Sequence, residues 1–263
     1  MDFNNTPHRR KNILTGEWVL VSPHRTKRPW QGKKDTPQQL EQIAYDPNCY
    51  LCPGNERAGG AKNPNYSGTY SFKNDFAALL ESEDEKNKDG LFEAESESGL
   101  CKVICYSPNH VLTLPLMEVN AIIDVITLWQ KEYNELGENP NINHVQIFEN
   151  KGAIMGCSNP HPHGQIWAER AIPQEVKKKV VKQKTYWDNN TTSLLGDYLS
   201  QELEAKERIV LENESFVALV PYWAVWPFET MIVPKRHLTS ISSLTPQEVN
   251  DYAAILKALT IRY

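Results

Sequence analysis

The sequence has no long apolar run. None of its 263 residues belongs to a stretch approaching the roughly 18 apolar residues that a membrane helix needs. No apolar segment of the kind found in signal peptides follows residues 1–5. Charge of one sign is also scarce, because the formal net charge is only -5 and the run Lys177, Lys178 and Lys179 has no interleaved aromatic residues. We therefore expect a cytoplasmic protein with neither a membrane nor a nucleic acid as partner.

Cysteine is scarce as well. The chain has five cysteines, an odd number that does not fit the disulfide framework of a small secreted protein. Cys49 and Cys52 form a C-x-x-C pair, which by itself is compatible with a metal site, a redox pair or idle thiols. Cys101 and Cys105 alternate within an apolar run and are expected to lie in the core face of a strand.

The apolar pattern predicts an α+β fold. Helical spacing between residues 119 and 136 predicts a helix that ends at Gly137. More helix is expected between residue 168 and about residue 206. Strands are expected at residues 100–106, 144–148, 165–168, 209–211 and 216–221. A hairpin should turn at Thr15 and Gly16, between short strands at 12–14 and 18–21. Residues 22–65 are expected to be mostly ordered loop, and the acidic segment 81–97 is expected to be a mobile surface loop.

An internal repeat predicts two related units with largely antiparallel sheet and packed helices. Residues 108–115 and 227–234 each begin and end with proline, enclose a β-like run and precede an amphipathic helix. The second helix should cover 246–259 with Thr245 as its cap. We place the first unit at 1–175 and the second at 176–263. In the first unit, the helix is followed by the strands expected at 144–148 and 165–168. No counterparts of these two strands follow the second helix before Tyr263, so the second unit is expected to be incomplete. An open sheet edge there would favour association.

A histidine motif fills residues 159–165, Asn-Pro-His-Pro-His-Gly-Gln. His161 and His163 alternate with prolines that stiffen an extended chain, in which residues two apart point to the same side. A nucleophilic histidine needs one free ring nitrogen and an acceptor for the N–H of the other, and a backbone carbonyl of the motif could serve. Gln165 could donate its amide hydrogen to a phosphoryl oxygen. The alternatives are two ordinary turn residues or two metal ligands.

Further candidate binding residues precede this motif in the sequence. The turn of Gly156, Cys157 and Ser158 could offer backbone N–H groups to phosphate oxygens. Asn74 and Asp75 precede Phe76 at an apparent strand end, where an amide and a carboxylate could contact a ligand or could simply form a turn.

Longer matches carry a resemblance to a known family. Residues 15–18, 22–30, 74–77, 159–165, 221–223 and 227–230 resemble galactose-1-phosphate uridylyltransferases, a branch of the histidine-triad superfamily. The resemblance implies a ping-pong reaction in which His163 attacks the α-phosphorus of UDP-glucose and passes the uridylyl group to galactose 1-phosphate. In that family the third triad position is glutamine, as at Gln165, which favours transfer over hydrolysis.

The resemblance also implies a metal site, substrate contacts and a homodimer. The matching positions imply zinc bound by Cys49, Cys52, His110 and His161. The glutamate of the family's second metal site is replaced by Lys179, so no second metal is expected. The uridylyl pocket would include further polar residues, namely Arg25, Arg28 and Asn150.

Two other functions remain open at this stage. The chain could be a related nucleotidylyltransferase or phosphorylase of the superfamily that takes an ADP-sugar or a dinucleoside polyphosphate. It could also be a zinc-stabilised nucleotide-binding fragment without catalytic activity.

Overall fold

The computed structural model describes residue 3 and residues 5–29, 43–82, 85–157 and 159–263. The chain forms two compact units, one built from residues 1–41, 174–237 and 263, and the other from residues 42–173 and 238–262. Residues 238–262 thus belong to the same compact unit as the histidine motif, whereas the predicted division at 175/176 follows the sequence repeat. Within the described ranges, no helix has both the length and the apolar character needed to cross a membrane.

The described residues contain eleven strands and four α-helices, an α+β composition. The strands are β1 (His8–Lys11), β2 (Trp18–Val21), β3 (Tyr70–Lys73), β4 (Lys86–Asp89), β5 (Phe92–Glu95), β6 (Gly99–Cys105), β7 (His144–Phe148), β8 (His163–Glu169), β9 (Ile209–Glu212), β10 (Phe216–Leu219) and β11 (Met231–Pro234). The helices are α1 (Val119–Gly137), α2 (Gln174–Asn190), α3 (Leu194–Ala205) and α4 (Pro246–Thr260).

A four-stranded antiparallel sheet organises the unit that carries the histidine motif. Its strand order is β3-β6-β8-β7. Ile104 and Ile166 project from one face into the main core, which they share with residues of α1 and α4. Because side chains alternate along a strand, His163 and Gln165 lie on the opposite face of β8 from Ile166. That opposite face carries a second apolar cluster around the cysteine loop.

The other unit contains a separate antiparallel sheet, of order β11-β10-β9, and the hairpin of β1 and β2. Leu199 of α3 packs with Val217, Leu219 and Val233 to form its core. The lysine run lies on α2, where no described side chain is buried, so it is part of a solvated helix face.

Several local predictions are confirmed. Helix α1 ends at Gly137 as predicted. Helix α4 begins at Pro246 after the cap Thr245, whose side chain accepts the N–H of Glu248, while the Glu248 carboxylate accepts the N–H of Thr245. The hairpin around Gly16 also forms, but its first strand is His8–Lys11 and not residues 12–14.

The prediction of a mobile loop at 81–97 is wrong for most of the segment. Strands β4 and β5 pair there in an exposed hairpin. The cross-strand ion pairs Lys86–Glu95 and Lys88–Glu93 support it at 3.1 and 2.9 Å. Opposite charges facing each other across the strands stabilise this pairing without a buried face.

The prediction of a β-like run at 108–115 is also wrong. The segment forms turns and leads into a 3₁₀ helix at Leu114–Leu116. The Asn109 side chain accepts the N–H of Val111, and the Ser107 hydroxyl accepts the N–H of Asn109, at 3.0 and 3.1 Å. Such local side-chain to backbone bonds compete with strand pairing, and here they turn the chain so that His110 reaches the cysteines.

Candidate active site and metal centre

The C-x-x-C segment lies in a loop that is held by asparagine side chains. The Asn55 amide donates to the carbonyl oxygens of Asp46 and Cys49 at 2.9 and 2.8 Å. The Asn63 amide donates to the carbonyl oxygens of Tyr50 and Cys52 at 2.9 and 3.1 Å. These bonds fix a short loop in which both thiols are buried.

Two cysteines and two histidines meet inside this unit. One ligand atom from each of Cys49, Cys52, His110 and His161 lies within 4.8 Å of all the others. The Cys52 Sγ is 3.6 Å from Nδ1 of His110 and 3.5 Å from Nδ1 of His161, and the Cys49 Sγ is 3.9 Å from Nδ1 of His161. A tetrahedral zinc ion, with bonds of about 2.3 Å to sulfur and 2.0 Å to nitrogen, would separate such atoms by about 3.5 Å. The four side chains can therefore hold one metal ion.

Burial affects the histidine and cysteine side chains of the cluster in opposite ways. Burial lowers the pKa of His161 to about 4, so its imidazole is neutral near pH 7. Its Nε2–H donates to the Ser107 carbonyl at 2.9 Å, which leaves Nδ1 free to bind a metal. Burial raises the pKa of Cys52 to about 11, so ionisation of this thiol at neutral pH requires a nearby cation.

Asn159 supports this cluster, a role that the sequence did not suggest. Its side chain is buried, and its amide donates to the Cys49 sulfur at 3.5 Å. Its Oδ1 accepts the backbone N–H of His161 at 2.9 Å. One amide therefore contacts a thiol and also fixes the backbone that carries a histidine ligand. The available signal was its position two residues before His161, which is the spacing of an Asx turn.

A cavity of about 310 Å³ lies beside the cluster. Its lining comes from the cysteine loop and the sheet face opposite α1, namely Tyr50, Leu51, Ala58, Phe72, Asn74, Asp75, Phe76, Val103, His163 and Gln165. Cys49 and Cys52 directly flank Tyr50 and Leu51 in the sequence, so the loop that forms half of the cluster also forms one wall of the cavity.

His163 and Gln165 line this cavity together. The strand β8 begins at His163, two residues earlier than predicted, and pairs Cys105 with His163 and Val103 with Gln165 across β6. The Nδ1–H of His163 donates to the carbonyl oxygen of His161 at 2.7 Å, so the neutral imidazole has its lone pair on Nε2. An acceptor within the motif was predicted, and this contact confirms it.

Gly164 separates the two residues and lets β8 approach Tyr106. A Cβ atom at this position would overlap the Tyr106 hydroxyl oxygen and would lie 3.1 Å from the Phe148 carbonyl oxygen. Tyr106 is buried and packs edge-on against Trp129 of α1, with ring centroids 6.2 Å apart. The glycine is therefore required by packing on the core face of the strand.

Asn74 and Asp75 follow β3 and line the cavity. Asn74 Oδ1 accepts the N–H of Phe76 at 2.9 Å. The turn that was predicted as the alternative to a ligand contact is therefore present, and Asn74 also lines the cavity. The Asp75 carboxylate pairs with the Arg57 guanidinium, with Oδ2 and Nε 3.2 Å apart. Sequence reasoning did not single out Arg57.

The other predicted substrate contacts have different surroundings. Asn150 is half-buried just after β7, and Gly156 is exposed with a φ of 80°. The Cys157 N–H donates to the Gly152 carbonyl at 3.3 Å, so it would have to leave that partner to bind a phosphate. Ser158 lies outside the described residues.

Arg25 and Arg28 belong to the other compact unit. Arg25 lies in the 3₁₀ helix Pro23–Lys27, and Arg28 is the residue that ends it. Both side chains are exposed. Lys179, at the position expected for the glutamate of a second metal site, is exposed on α2.

Comparisons with known proteins place these features in context. Residues 1–173 match the family model of the galactose-1-phosphate uridyl transferase N-terminal domain, and residues 179–263 match that of its C-terminal domain. A galactose-1-phosphate uridylyltransferase from Haemophilus influenzae is 51% identical over 259 residues, which are 98% of this chain and 74% of that protein.

Similar folds are found among solved structures. A uridylyltransferase structure aligns with a TM-score of 0.71 at 27% identity and covers 95% of this chain and 72% of its own. An ADP-glucose phosphorylase from Arabidopsis thaliana, solved with bound ADP-glucose, aligns with a TM-score of 0.71 at 26% identity and covers 97% and 76%.

Proposed function

The chain belongs to the galactose-1-phosphate uridylyltransferase family, and from that premise we propose that it transfers a uridylyl group from UDP-glucose to galactose 1-phosphate. The products are UDP-galactose and glucose 1-phosphate. The observation that carries this proposal is the tautomer of His163, whose Nδ1–H is bound to the His161 carbonyl while the residue lines a cavity with Gln165.

In the first half-reaction, Nε2 of His163 attacks the α-phosphorus of UDP-glucose. A phosphorus–nitrogen bond forms, and the bond from the α-phosphorus to the oxygen of the β-phosphate breaks. The electron pair of that bond leaves on glucose 1-phosphate. The imidazole becomes positively charged, and the 2.7 Å bond to the His161 carbonyl stabilises this charge because hydrogen bonds from ionised donors are the stronger ones.

Gln165 acts on the phosphoryl oxygens during this step. It lies two residues from His163 on the same strand face, and both side chains line the cavity. Its amide N–H would donate to an oxygen on which negative charge builds in the transition state, and a fixed donor of this kind lowers the barrier.

In the second half-reaction, a phosphate oxygen of galactose 1-phosphate attacks the uridylyl-histidine. The phosphorus–nitrogen bond breaks and its electron pair returns to Nε2, which regenerates the enzyme. Dividing one displacement into two lets a single subsite serve both sugar phosphates in turn. The two substrates therefore never need to be bound together, and the kinetics should be ping-pong.

The uridine moiety is assigned to polar residues around the cavity. The Asp75 carboxylate accepts hydrogen bonds from the ribose hydroxyls, and the Asn74 amide lies beside it. The remaining contacts to the phosphates and sugar are proposed for Arg25, Arg28, Asn150, Gly156, Cys157 and Ser158. A homodimer is proposed from the family resemblance alone, and a cytoplasmic location is proposed from the sequence features described above.

Zinc is the metal proposed for the cluster. Two thiols and two imidazoles at separations of 3.5–3.9 Å suit a closed tetrahedral site. A bound zinc would supply the positive charge that buried thiolates need. His161 would then be fixed by its side chain, and its carbonyl would keep His163 oriented. With all four positions filled by protein, the metal supports the site and takes no part in bond breaking.

Mass spectrometry tests the proposed function directly. The protein is incubated with UDP-glucose or with ADP-glucose, and the peptide containing His163 is examined for a uridylyl or an adenylyl group under conditions that preserve phosphoramidates. We expect the uridylyl adduct and release of glucose 1-phosphate. A faster reaction with ADP-glucose would favour the alternative suggested by the similarity to an ADP-glucose phosphorylase. The absence of any adduct would favour a nucleotide-binding protein without catalysis.

A further inference from the structure

Arg57 is a nearly buried arginine next to the cavity. Only 12% of its side chain is exposed, and its guanidinium carbon lies over the Phe72 ring, 4.0 Å from the centroid. Its Nε lies 3.2 Å from Oδ2 of Asp75. The guanidinium thus contacts an aromatic ring and a carboxylate that both line the cavity.

A hydrogen-bonded turn and a stack of aromatic rings hold Arg57 in place. The backbone N–H of Arg57 donates to the Ala61 carbonyl at 2.7 Å, which closes a tight turn. Phe72 stacks on Tyr70 and Tyr70 on Tyr66, with centroid separations of 5.6 and 5.0 Å. The Tyr66 hydroxyl donates to the Leu51 carbonyl at 2.6 Å, so this aromatic column is anchored to the cysteine loop. Arg57 therefore offers Asp75 a fixed point of attachment.

Asp75 needs such an attachment for the role proposed above. It lies in a turn after β3, where a carboxylate can adopt several rotamers, and only some of them present an oxygen to the cavity. The proposed substrate also carries a diphosphate, and a nearby unpaired carboxylate would repel it. The ion pair with Arg57, in which Nε and Oδ2 are 3.2 Å apart, offsets the charge of the carboxylate and favours rotamers that face the guanidinium. The carboxylate oxygens keep lone pairs that can accept hydroxyl groups.

We propose that Arg57 is a positioning residue for nucleotide recognition, which holds the Asp75 carboxylate in the orientation that accepts the ribose hydroxyls and does not itself touch the substrate. The inference rests on the proposed function, because it takes the cavity as the uridine site. It adds a residue that determines how strongly the site distinguishes a ribonucleotide from a deoxyribonucleotide.

The test compares UDP-glucose with its 2′-deoxyribose analogue in steady-state kinetics. The ratio of kcat/KM for the two donors reports recognition of the ribose hydroxyl and is insensitive to a uniform loss of active protein. The variants are Asp75→Asn, Arg57→Met, Arg57→Gln and Arg57→Lys. Arg208→Met is the matched control, since Arg208 also pairs with a buried carboxylate (Glu202, 2.9 Å) and lies over a ring (Tyr222, 5.1 Å).

We expect the wild type and Arg208→Met to prefer UDP-glucose by the same ratio. Arg57→Met and Arg57→Gln should lose most of that preference. Their KM for UDP-glucose should rise on the order of 10-fold or more, as expected for a lost hydrogen bond to a charged group, with kcat nearly unchanged. Arg57→Lys, which keeps the charge, should retain part of the preference. Combining Arg57→Met with Asp75→Asn should add little to either change alone.

Each other outcome has a definite meaning. If Asp75→Asn keeps the wild-type ratio, the proposed ribose contact of Asp75 is wrong and this inference fails with it. If Asp75→Asn loses the preference but folded Arg57→Met and Arg57→Gln keep it, the role of Arg57 is refuted while the proposed function stands. If both neutral variants fail to fold or to hold metal, Arg57 stabilises the loop as a whole and the positioning role is overturned.

Discussion

The carbonyl oxygen of His161 lies 2.7 Å from Nδ1 of His163, while the imidazole of His161 lies in the cysteine cluster. One residue therefore offers its side chain to a metal and its backbone to the proposed nucleophile. A metal bound to that imidazole would restrict the carbonyl that fixes the His163 tautomer. We therefore expect metal binding and the orientation of the proposed nucleophile to be coupled through His161, so a substitution that removes the metal should also slow transfer.

His163→Ala should abolish transfer and leave the metal in place, because His163 lines the cavity and does not belong to the cluster. We expect the rate to fall by a factor of at least about 10⁴, as when a nucleophile is removed from an enzyme. His144→Ala, on a neighbouring strand of the same sheet, is the control and should keep activity. Detection of a uridylyl adduct on the protein in His163→Ala would refute the assignment.

Gln165→Ala should slow the formation of the uridylyl-histidine much more than it weakens binding of UDP-glucose. Loss of one donor to a developing oxyanion reduces rates by roughly 10²–10³-fold. Gln146→Ala provides a matched control, since Gln146 is an exposed glutamine on the adjacent strand β7. The single-turnover rate of uridylyl-histidine formation is measured for both variants. An unchanged rate in Gln165→Ala would exclude the proposed role of Gln165 as a donor to the phosphoryl oxygens.

The sequence predicted best where the signal was local and periodic. The apolar spacing of α1 and the cap of α4 follow from neighbouring residues alone, and the structure confirms both. The hairpin at residues 86–95 was missed because its pairing depends on charged side chains facing each other across the strands. Such pairs carry no hydrophobic alternation for a sequence pattern to reveal.

At the site, the family resemblance led to His110, which lies far from the C-x-x-C pair in the sequence and yet joins it in space. Arg57 and Asn159 were missed for a different reason. Each acts on another residue, Arg57 on the Asp75 carboxylate and Asn159 on the Cys49 sulfur. Contacts of this kind between distant positions become visible only when the chain is folded.

Freshly purified protein should contain one zinc per chain at the cluster, and Cys49→Ser or Cys52→Ser should lose it. A hydroxyl is a far weaker zinc ligand than a thiolate, so both variants should have a lower melting temperature. Cys101→Ser is the control, because Cys101 is equally buried but lies outside the cluster. It should keep the metal even if it lowers stability. Elemental analysis that found no zinc in the wild type would contradict the assignment.

Gly164→Ala should destabilise the protein by about 1–3 kcal/mol, the usual cost of overpacking, because its methyl group would overlap the Tyr106 hydroxyl. In a Tyr106→Phe background the same change should cost less, since the overlapping oxygen is gone. Denaturant unfolding of the four proteins in this double-mutant cycle measures the coupling. Equal destabilisation in both backgrounds would show that the contact with Tyr106 does not determine the need for glycine.

Asn159 allows a test of what the cluster requires from its surroundings. Its amide donates to the Cys49 sulfur at 3.5 Å, and its Oδ1 accepts the N–H of His161 at 2.9 Å. Asn159→Ala removes both bonds and should weaken metal binding by about 10–100-fold, the typical effect of losing a group that orients a ligand. Asn159→Asp keeps the acceptor for His161 but places a negative charge beside the sulfur. If donation to a thiolate is the main contribution, Asp should therefore be worse than Ala in competition with a chelator. If Asp instead retains nearly wild-type affinity, the bond to the His161 backbone is the one that matters.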